Sequence, residues 1–434
     1  MCGILLSRME PTEDTTDTPP PHPRRFVGER LQLGVICAAT FVVWAGFGAI
    51  LPYLPVFLQE EAAASIRYIG VIAAAYYVGT FAFSALLGGL SDRIGRKPVL
   101  VAGVWVYGLA TLLFLTTTHP VWFILFRFLE GAGAAAVYPA GQAFVADITP
   151  AHRRSQAYGW MNTAQFGGLV AGPALAWPLY QLGGGHGLWS FYSIFLFGAL
   201  LALTTGAALL LLLREPERRL SAEEPATARP PYRRLLTRPV IAFMVVASAV
   251  HLAIGSWEVI WSIWLRELGA SMSFVGLTWM LFSLPMLFSF VGGYFADRHS
   301  RFLLMFSGYI ISAATWIVYG TTHTLTVLLV FSVVEGVAMA WANPAKQAFL
   351  VQVSPARWVG SVQGLEVTAA HLAALVGTLA APFLFEIMSG RVIALGGVIA
   401  LVALFAVIPV LGPEWKRLSA PNLARGEVEA SSGA

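Results

Sequence analysis

Charge is scarce in this chain. Asp, Glu, Lys and Arg make up 12% of its 434 residues, against about 25% in a typical soluble domain. At 57% hydrophobic, it has more apolar surface than one aqueous core can hide, so it needs lipid as solvent. Cysteine is almost missing: Cys2 and Cys37 give neither a disulfide framework nor a metal-ligand spacing. No Asn-x-Ser/Thr acceptor occurs, because the three asparagines precede Thr163-Ala164, Pro344-Ala345 and Leu423-Ala424. Lysine is equally rare, three against 24 arginines, a bias that points to a GC-rich bacterial genome. No phosphate-binding glycine loop, nucleophile triad or metal cluster is visible. The sequence therefore reads as no enzyme, without cofactor or metal. Energy for any work must come from an ion gradient or from the substrate's own. The pI near 9.1 does not indicate nucleic acid, because the basic residues sit between hydrophobic runs.

Those runs are what the chain has in place of charge. A membrane-spanning helix needs about 20 apolar residues, and twelve runs are long enough. Six lie at 33–58, 68–91, 98–117, 120–146, 155–180 and 188–213, and six at 239–265, 273–296, 302–320, 323–350, 358–387 and 391–412. Residues 1–30 are polar and proline-rich and read as a disordered cytoplasmic tail, too weakly apolar for a secretory signal. The expected organisation is an N-terminal six-helix bundle over 31–213, a cytoplasmic linker over 214–238, a C-terminal six-helix bundle over 239–412 and a cytoplasmic tail over 413–434. With the N-terminus inside, cytoplasmic segments hold 22 of the 27 Lys and Arg, and the outside loops hold only Arg67, Arg266 and Arg391. By the positive-inside rule both termini and the linker are cytoplasmic.

The two halves repeat at an offset of 205 residues. That shift carries Asp92-Arg93 onto Asp297-Arg298, Glu130-Gly131 onto Glu335-Gly336, Gln142-Ala143-Phe144 onto Gln347-Ala348-Phe349, and Gly172 onto Gly377. The expected fold is an all-α membrane protein: twelve transmembrane helices in two pseudo-symmetric bundles, with substrate between them near the midplane.

The sharpest motif is Gly88-Gly89-Leu90-Ser91-Asp92-Arg93-Ile94-Gly95-Arg96-Lys97, at the short turn after helix two. Gly88 leaves room for a neighbouring helix, Asp92 can face a helix N-terminus, and Gly95 suits a tight reversal. This stretch closely resembles the signature of the major facilitator superfamily, and with the repeat the resemblance covers nearly all of 31–412. The resemblance implies a latch between the halves in the outward-open state, with Arg96 paired to Asp147 at the end of helix four. The second copy, around Asp297 and Arg298, has Gln352 in place of the acid, so a second latch is expected to be weaker.

Intramembrane charges are costly and mark partners or function. Arg127 and Glu130 in helix four are three apart and can pair, as a structural ion pair or as a functional one. The arginine resembles the family's helix-four motif, which is tied to proton movement, and the glutamate departs from its commonest form. Glu335 in helix ten has Ser332 where Arg127 would be, and Lys346 is eleven residues on. Glu335 either binds protons reversibly or pairs with another helix. Helix seven carries His251 and Glu258. Trp257 beside Glu258 is a cavity candidate for a cationic ligand, whereas Trp261 and Trp264 read as interfacial anchors. Glu366 and His371 in helix eleven have no readable orientation. Gly168, Gly172 and Pro173 in helix five permit close packing with a bend and resemble the superfamily's antiporter motif.

The resemblance implies a cavity lined by helices one, four, seven and ten, and a secondary active transporter similar to the drug:proton antiporter branch. It would exchange protons for small lipophilic neutral or cationic compounds as a monomer in a bacterial inner membrane. The expected partners are a small-molecule substrate, protons and the lipid bilayer, and no nucleic acid. Helix one departs by having no acidic residue between Leu31 and Gln59. A metabolite carrier, a lysolipid flippase and a non-transporting receptor are the alternatives.

Overall fold

The computed structural model describes residues 23–149, 154–215, 235–354, 359–411 and Leu418. Residues 1–22 of the expected tail over 1–30, most of the linker (216–234) and nearly all of the C-terminal tail lie outside the described residues. In hydrocarbon a backbone must satisfy its own hydrogen bonds, and the twelve runs become twelve helical units, with no strand among the described residues.

The first bundle comprises α1 (Pro23–Ile50, continued by Leu54–Glu60), α2 (Ile66–Ile94), α3 (Arg96–Leu113), α4 (Pro120–Ile148), α5 (Arg154–Leu182) and α6 (Leu188–Leu212). The second comprises α7 (Arg238–Glu267), α8 (Met272–Ser283, a 3-10 turn Leu284–Phe288, then Ser289–Arg298), α9 (Arg301–Thr321), α10 (Leu325–Val353), α11 (Val359–Met388) and α12 (Arg391–Leu411). Among the described residues, eleven spans are long and apolar enough to cross a membrane. The exception, α5, has its first turns diluted by polar residues such as Gln156, Asn162 and Gln165.

Three boundaries differ from expectation. Helix α1 begins at Pro23 rather than 31, because a helix need not end where its apolar stretch ends. The run over 33–58 is interrupted at 51–53, where Pro52 lacks a backbone donor. The run over 273–296 tightens into the 3-10 turn that carries Pro285.

The 205-residue repeat is visible in the packing. A Cβ on Gly131 would strike the backbone of Tyr76 in α2, and one on Gly336 that of Phe282 in α8. Gly172 meets α1 at Ala45 and Ala49 in the same way, and Gly377 meets α7 at Leu252. The same glycines thus permit the same close crossings in both halves.

Call the side holding the 213–237 connection the linker face, and the opposite side the far face. Both ends of the described chain lie on the linker face, where Ser300 Oγ donates to the Leu418 carbonyl at 2.8 Å. The bundles meet on the far face. Arg67 of α2 pairs with Glu386 of α11, its Nε 2.6 Å from the carboxylate, and Arg266 of α7 pairs with Glu60 of α1 at 2.8 Å. Gly70 of α2 lies against Thr378 and Pro382 of α11. The far half of α8 packs on both α5 and α10, whereas its linker half packs on α10. Near the linker face a cavity of about 580 Å³ lies between α1, α5 and Leu287 of α8. The molecule is closed at the far face and parted at the linker face.

Candidate functional site

Among the described residues, four carboxylates and two Lys or Arg side chains lie in the interior of the bundles; two ion pairs form, and two carboxylates are met by neutral donors. Arg127 Nη1 donates to Glu130 Oε2 at 2.8 Å within α4. Both groups are buried, at 5% and 1% exposure. Thr111 Oγ1 of α3 donates to the other Glu130 oxygen at 2.7 Å. The Arg127 guanidinium lies 4.6 Å from the centroid of the Tyr76 ring. The expected local pair is present, and Tyr76 and Thr111 complete its surroundings.

Glu335 was expected to lack a local partner, and either to bind protons reversibly or to pair with another helix. It has two donors on another helix, α9: Trp316 Nε1 at 2.7 Å and Tyr319 Oη at 2.9 Å. Trp316 stands 205 residues after Thr111, so the repeat itself pointed to that position. Lys346 turns away from Glu335 and donates to Glu366 of α11 at 3.1 Å, both side chains nearly buried. That pairing is the shortest way to neutralise a buried ammonium.

Glu258 of α7 faces the other bundle. Tyr77 Oη of α2 donates to its Oε2 at 2.7 Å, and the Tyr77 ring lies edge-on to His371 of α11 at 6.3 Å. Trp257 does not open into a cavity. It is 5% exposed and packs against Trp261, Trp279 and Phe282. Trp261 and Trp264, expected as interfacial anchors, are buried as well, their indole N–H groups donating to Thr278 Oγ1 and the Tyr319 carbonyl. A buried indole hydrogen usually finds a partner, and for these two inward ones were available. His251 Nδ1 lies against the Ala247 carbonyl of its own helix at 2.7 Å.

On the linker face Arg96 Nε donates to Asp147 Oδ2 at 3.1 Å, and Arg96 Nη1 to Ser91 Oγ at 2.8 Å. The pair joins α3 to α4 inside one bundle. Gly95 has φ +117°, a value that favours glycine, as the tight reversal requires. Glu215, unmarked by any motif, caps the first turn of α3, accepting from the Arg96 and Lys97 amides at 2.6 and 2.9 Å. Its charge sits at the positive end of that helix. Gly88 does not receive a neighbour: nothing lies within 4 Å of where its Cβ would be, because the bundles are parted on this face. The side chains of Asp92 and Asp297 lie outside the described residues. Arg93 is exposed. Arg298 stacks on Tyr294 of its own helix, 3.5 Å from the ring centroid. In α5, Gly168 and Gly172 abut the α1 backbone and Pro173 lies within the helix.

Removing the Glu215 charge tests the cap. Glu215→Gln is expected to lower the melting temperature of the detergent-solubilised protein slightly, at a cost of about 0.3–1 kcal/mol, less at high salt. An unchanged or higher melting temperature would discount the cap.

A family model described as Major Facilitator Superfamily matches residues 36–265 and 246–428. Among curated proteins, Multidrug resistance protein 2 of Bacillus subtilis is 33% identical over 156 residues, 35% of this chain and 38% of that protein. Multidrug resistance protein 1 of the same organism is 24% identical over 75% of this chain and 82% of its own length. Quinolone resistance protein NorA of Staphylococcus aureus is 21% identical over 82% and 90% respectively. Among solved structures, a bacterial homolog of the human lysosomal transporter Spinster, in an inward-facing and occupied conformation, superposes with a TM-score of 0.70 at 15% identity, covering 89% of this chain and 96% of that one. The human organic anion transporter MFSD10 superposes with a TM-score of 0.63 at 18% identity, over 90% and 100%. At these identities the solved structures show a shared fold.

Proposed function

The chain belongs to the major facilitator superfamily, and on that premise we propose that it exports small lipophilic neutral or cationic compounds in exchange for protons, by alternating access. The charge balance of the interior carries this reading. Both interior cations are neutralised by acids of their own bundle, Arg127 by Glu130 and Lys346 by Glu366. Glu258 and Glu335 remain, held only by neutral donors. An interior with surplus carboxylate and, among the described residues, no spare Lys or Arg suits a proton or a positively charged ligand and repels an anion. Relatives bearing multidrug and quinolone resistance names support the substrate class.

In this reading the linker face is cytoplasmic, and the molecule is seen open to the cytoplasm. Proteoliposomes holding the full chain, loaded with a fluorescent lipophilic cation and given a pH gradient, provide the test. Cation movement that follows the gradient and vanishes when it is collapsed is expected. Tight binding of an anionic compound, lost on Lys346→Ala, would instead favour a metabolite carrier or a lysolipid flippase.

Orientation has its own check. A single cysteine at Ala222 is expected to resist a membrane-impermeant maleimide on intact cells, while one beside Arg67 or Arg391 reacts. Labelling at Ala222 would overturn the orientation. The Arg96–Asp147 pair is assigned to the conformational cycle. Arg96→Ala is expected to cut transport while expression stays near normal, and exchanging the two residues should recover part of the loss. If the exchange does no better than either single change, the assignment fails.

A further inference from the structure

Tyr76 and Tyr77 are consecutive, so on a helix they point about 100° apart. Here they face two different bundles. Tyr76 turns inward, its ring beneath the Arg127 guanidinium. Tyr77 turns outward and donates its hydroxyl to Glu258 across the bundle boundary. Helix α2 is fixed on α4 by Gly79 and Gly131, each pressed against the other helix's backbone, and by Thr80 Oγ1 donating to the Gly131 carbonyl at 3.2 Å. Tyr77 is therefore mounted on a rigid pair of helices carrying the Arg127–Glu130 ion pair. Its hydrogen bond exists only while the bundles are in contact at this depth.

We propose that Tyr77 is the positioning residue that couples proton exchange at Glu258 to closure of the far face. This rests on the export reading for its direction, though the device itself is geometric. With the far face closed, the Tyr77 hydroxyl occupies a lone pair of the Glu258 carboxylate. When α2 and α7 separate at the far face, that donor is withdrawn and the carboxylate faces the opening. A hydrogen bond to the charged form favours that form, so a proton binds the far-face-open state more tightly than the closed one. The proton is taken from water on the far face and returned to water on the linker face when Tyr77 resumes its place. A cationic substrate reaching Glu258 from the linker face displaces the same hydroxyl and favours opening toward the far face. Several groups share this neighbourhood. Tyr76 and the Arg127–Glu130 pair lie behind Tyr77 on α2 and α4, His371 of α11 lies beside it, and His251 is two turns away on α7. The Arg67–Glu386 and Arg266–Glu60 pairs close the far face beyond it.

Spin labels at His186 and Thr321, exposed far-face positions in the two bundles, report the opening. The full chain would be used in nanodiscs, with Cys2 and Cys37 replaced by serine. Acidification is expected to move the parent protein toward the longer distance. Tyr77→Phe keeps the ring and deletes the hydroxyl. It is expected to raise the long-distance population about tenfold, the usual weight of a hydrogen bond to a charged group, and to weaken the response to pH. Glu258→Gln should raise that population and abolish the response. A residue that only packs would leave both readouts unchanged in Tyr77→Phe, and that result would overturn the proposal. So would a pH response of full size in Glu258→Gln. If the distances behave as expected but the parent protein moves no lipophilic cation down an imposed pH gradient, the export reading falls and the Tyr77 device stands.

Discussion

Arg127→Met is expected to be among the most damaging single changes in the chain, at about 3–5 kcal/mol of stability. Methionine leaves the Glu130 carboxylate 1% exposed, with only the Thr111 hydroxyl as partner. It also strips the charge from above Tyr76. An uncompensated buried charge is worse than no charge, so adding Glu130→Met should recover most of the loss. The measurement is the melting temperature and folded yield of detergent-solubilised protein for both single variants and the double. A double variant that regains stability but not transport assigns the pair a part in the cycle. One that regains both makes it a structural ion pair. Equal stability of Arg127→Met and the parent would refute the pairing itself.

The second large effect separates two substitutions at Glu335. Glu335→Ala removes the acceptor of both the Trp316 indole and the Tyr319 hydroxyl. The orphaned indole costs about 1–3 kcal/mol, the Tyr319 hydroxyl is left with only Ser332 Oγ at 3.4 Å, and a cavity penalty is added. Glu335→Gln keeps one acceptor oxygen, and the Tyr319 hydroxyl can rotate to accept from the new amide. It should cost about 1 kcal/mol or less. Transport by the stable Gln variant then carries the functional information. Loss of pH-driven movement with substrate exchange retained would make Glu335 a second proton site. Full pH-driven transport would make it a structural acceptor between α9 and α10 and leave Glu258 as the exchanging carboxylate. A Gln variant as unstable as the Ala variant would mean that the two hydrogen bonds do not govern the site.

Legibility followed the range of the interaction. Covalent sequence sets apolar run length, and a bilayer accepts only helices or closed barrels, so the twelve spans could be read directly. The offset of 205 residues exposed the two bundles, and the glycines it aligned make equivalent crossings. Arg127 and Glu130 share one helix face, so their contact is local and spacing predicts it. Arg96 and Asp147 lie on different helices, and it was the resemblance to a family motif that paired them.

What spacing could not supply was which helix stands opposite a given side chain. Tyr77 is 181 residues from Glu258, Arg67 is 319 from Glu386, and Arg266 is 206 from Glu60. Tyrosines and arginines in those positions carry no signal until two helices are brought together. The same holds for Lys346, whose mate is Glu366 on the adjacent helix. Composition, run length and repeat determined that this chain is a twelve-helix, two-bundle membrane protein, because those properties depend on each segment's own transfer into lipid. Tertiary structure alone decided that Lys346 is neutralised by Glu366 and that Glu258 faces across the boundary, because buried charges on separate helices are satisfied by neighbours in space, at distances of 3 Å that no spacing along the chain encodes.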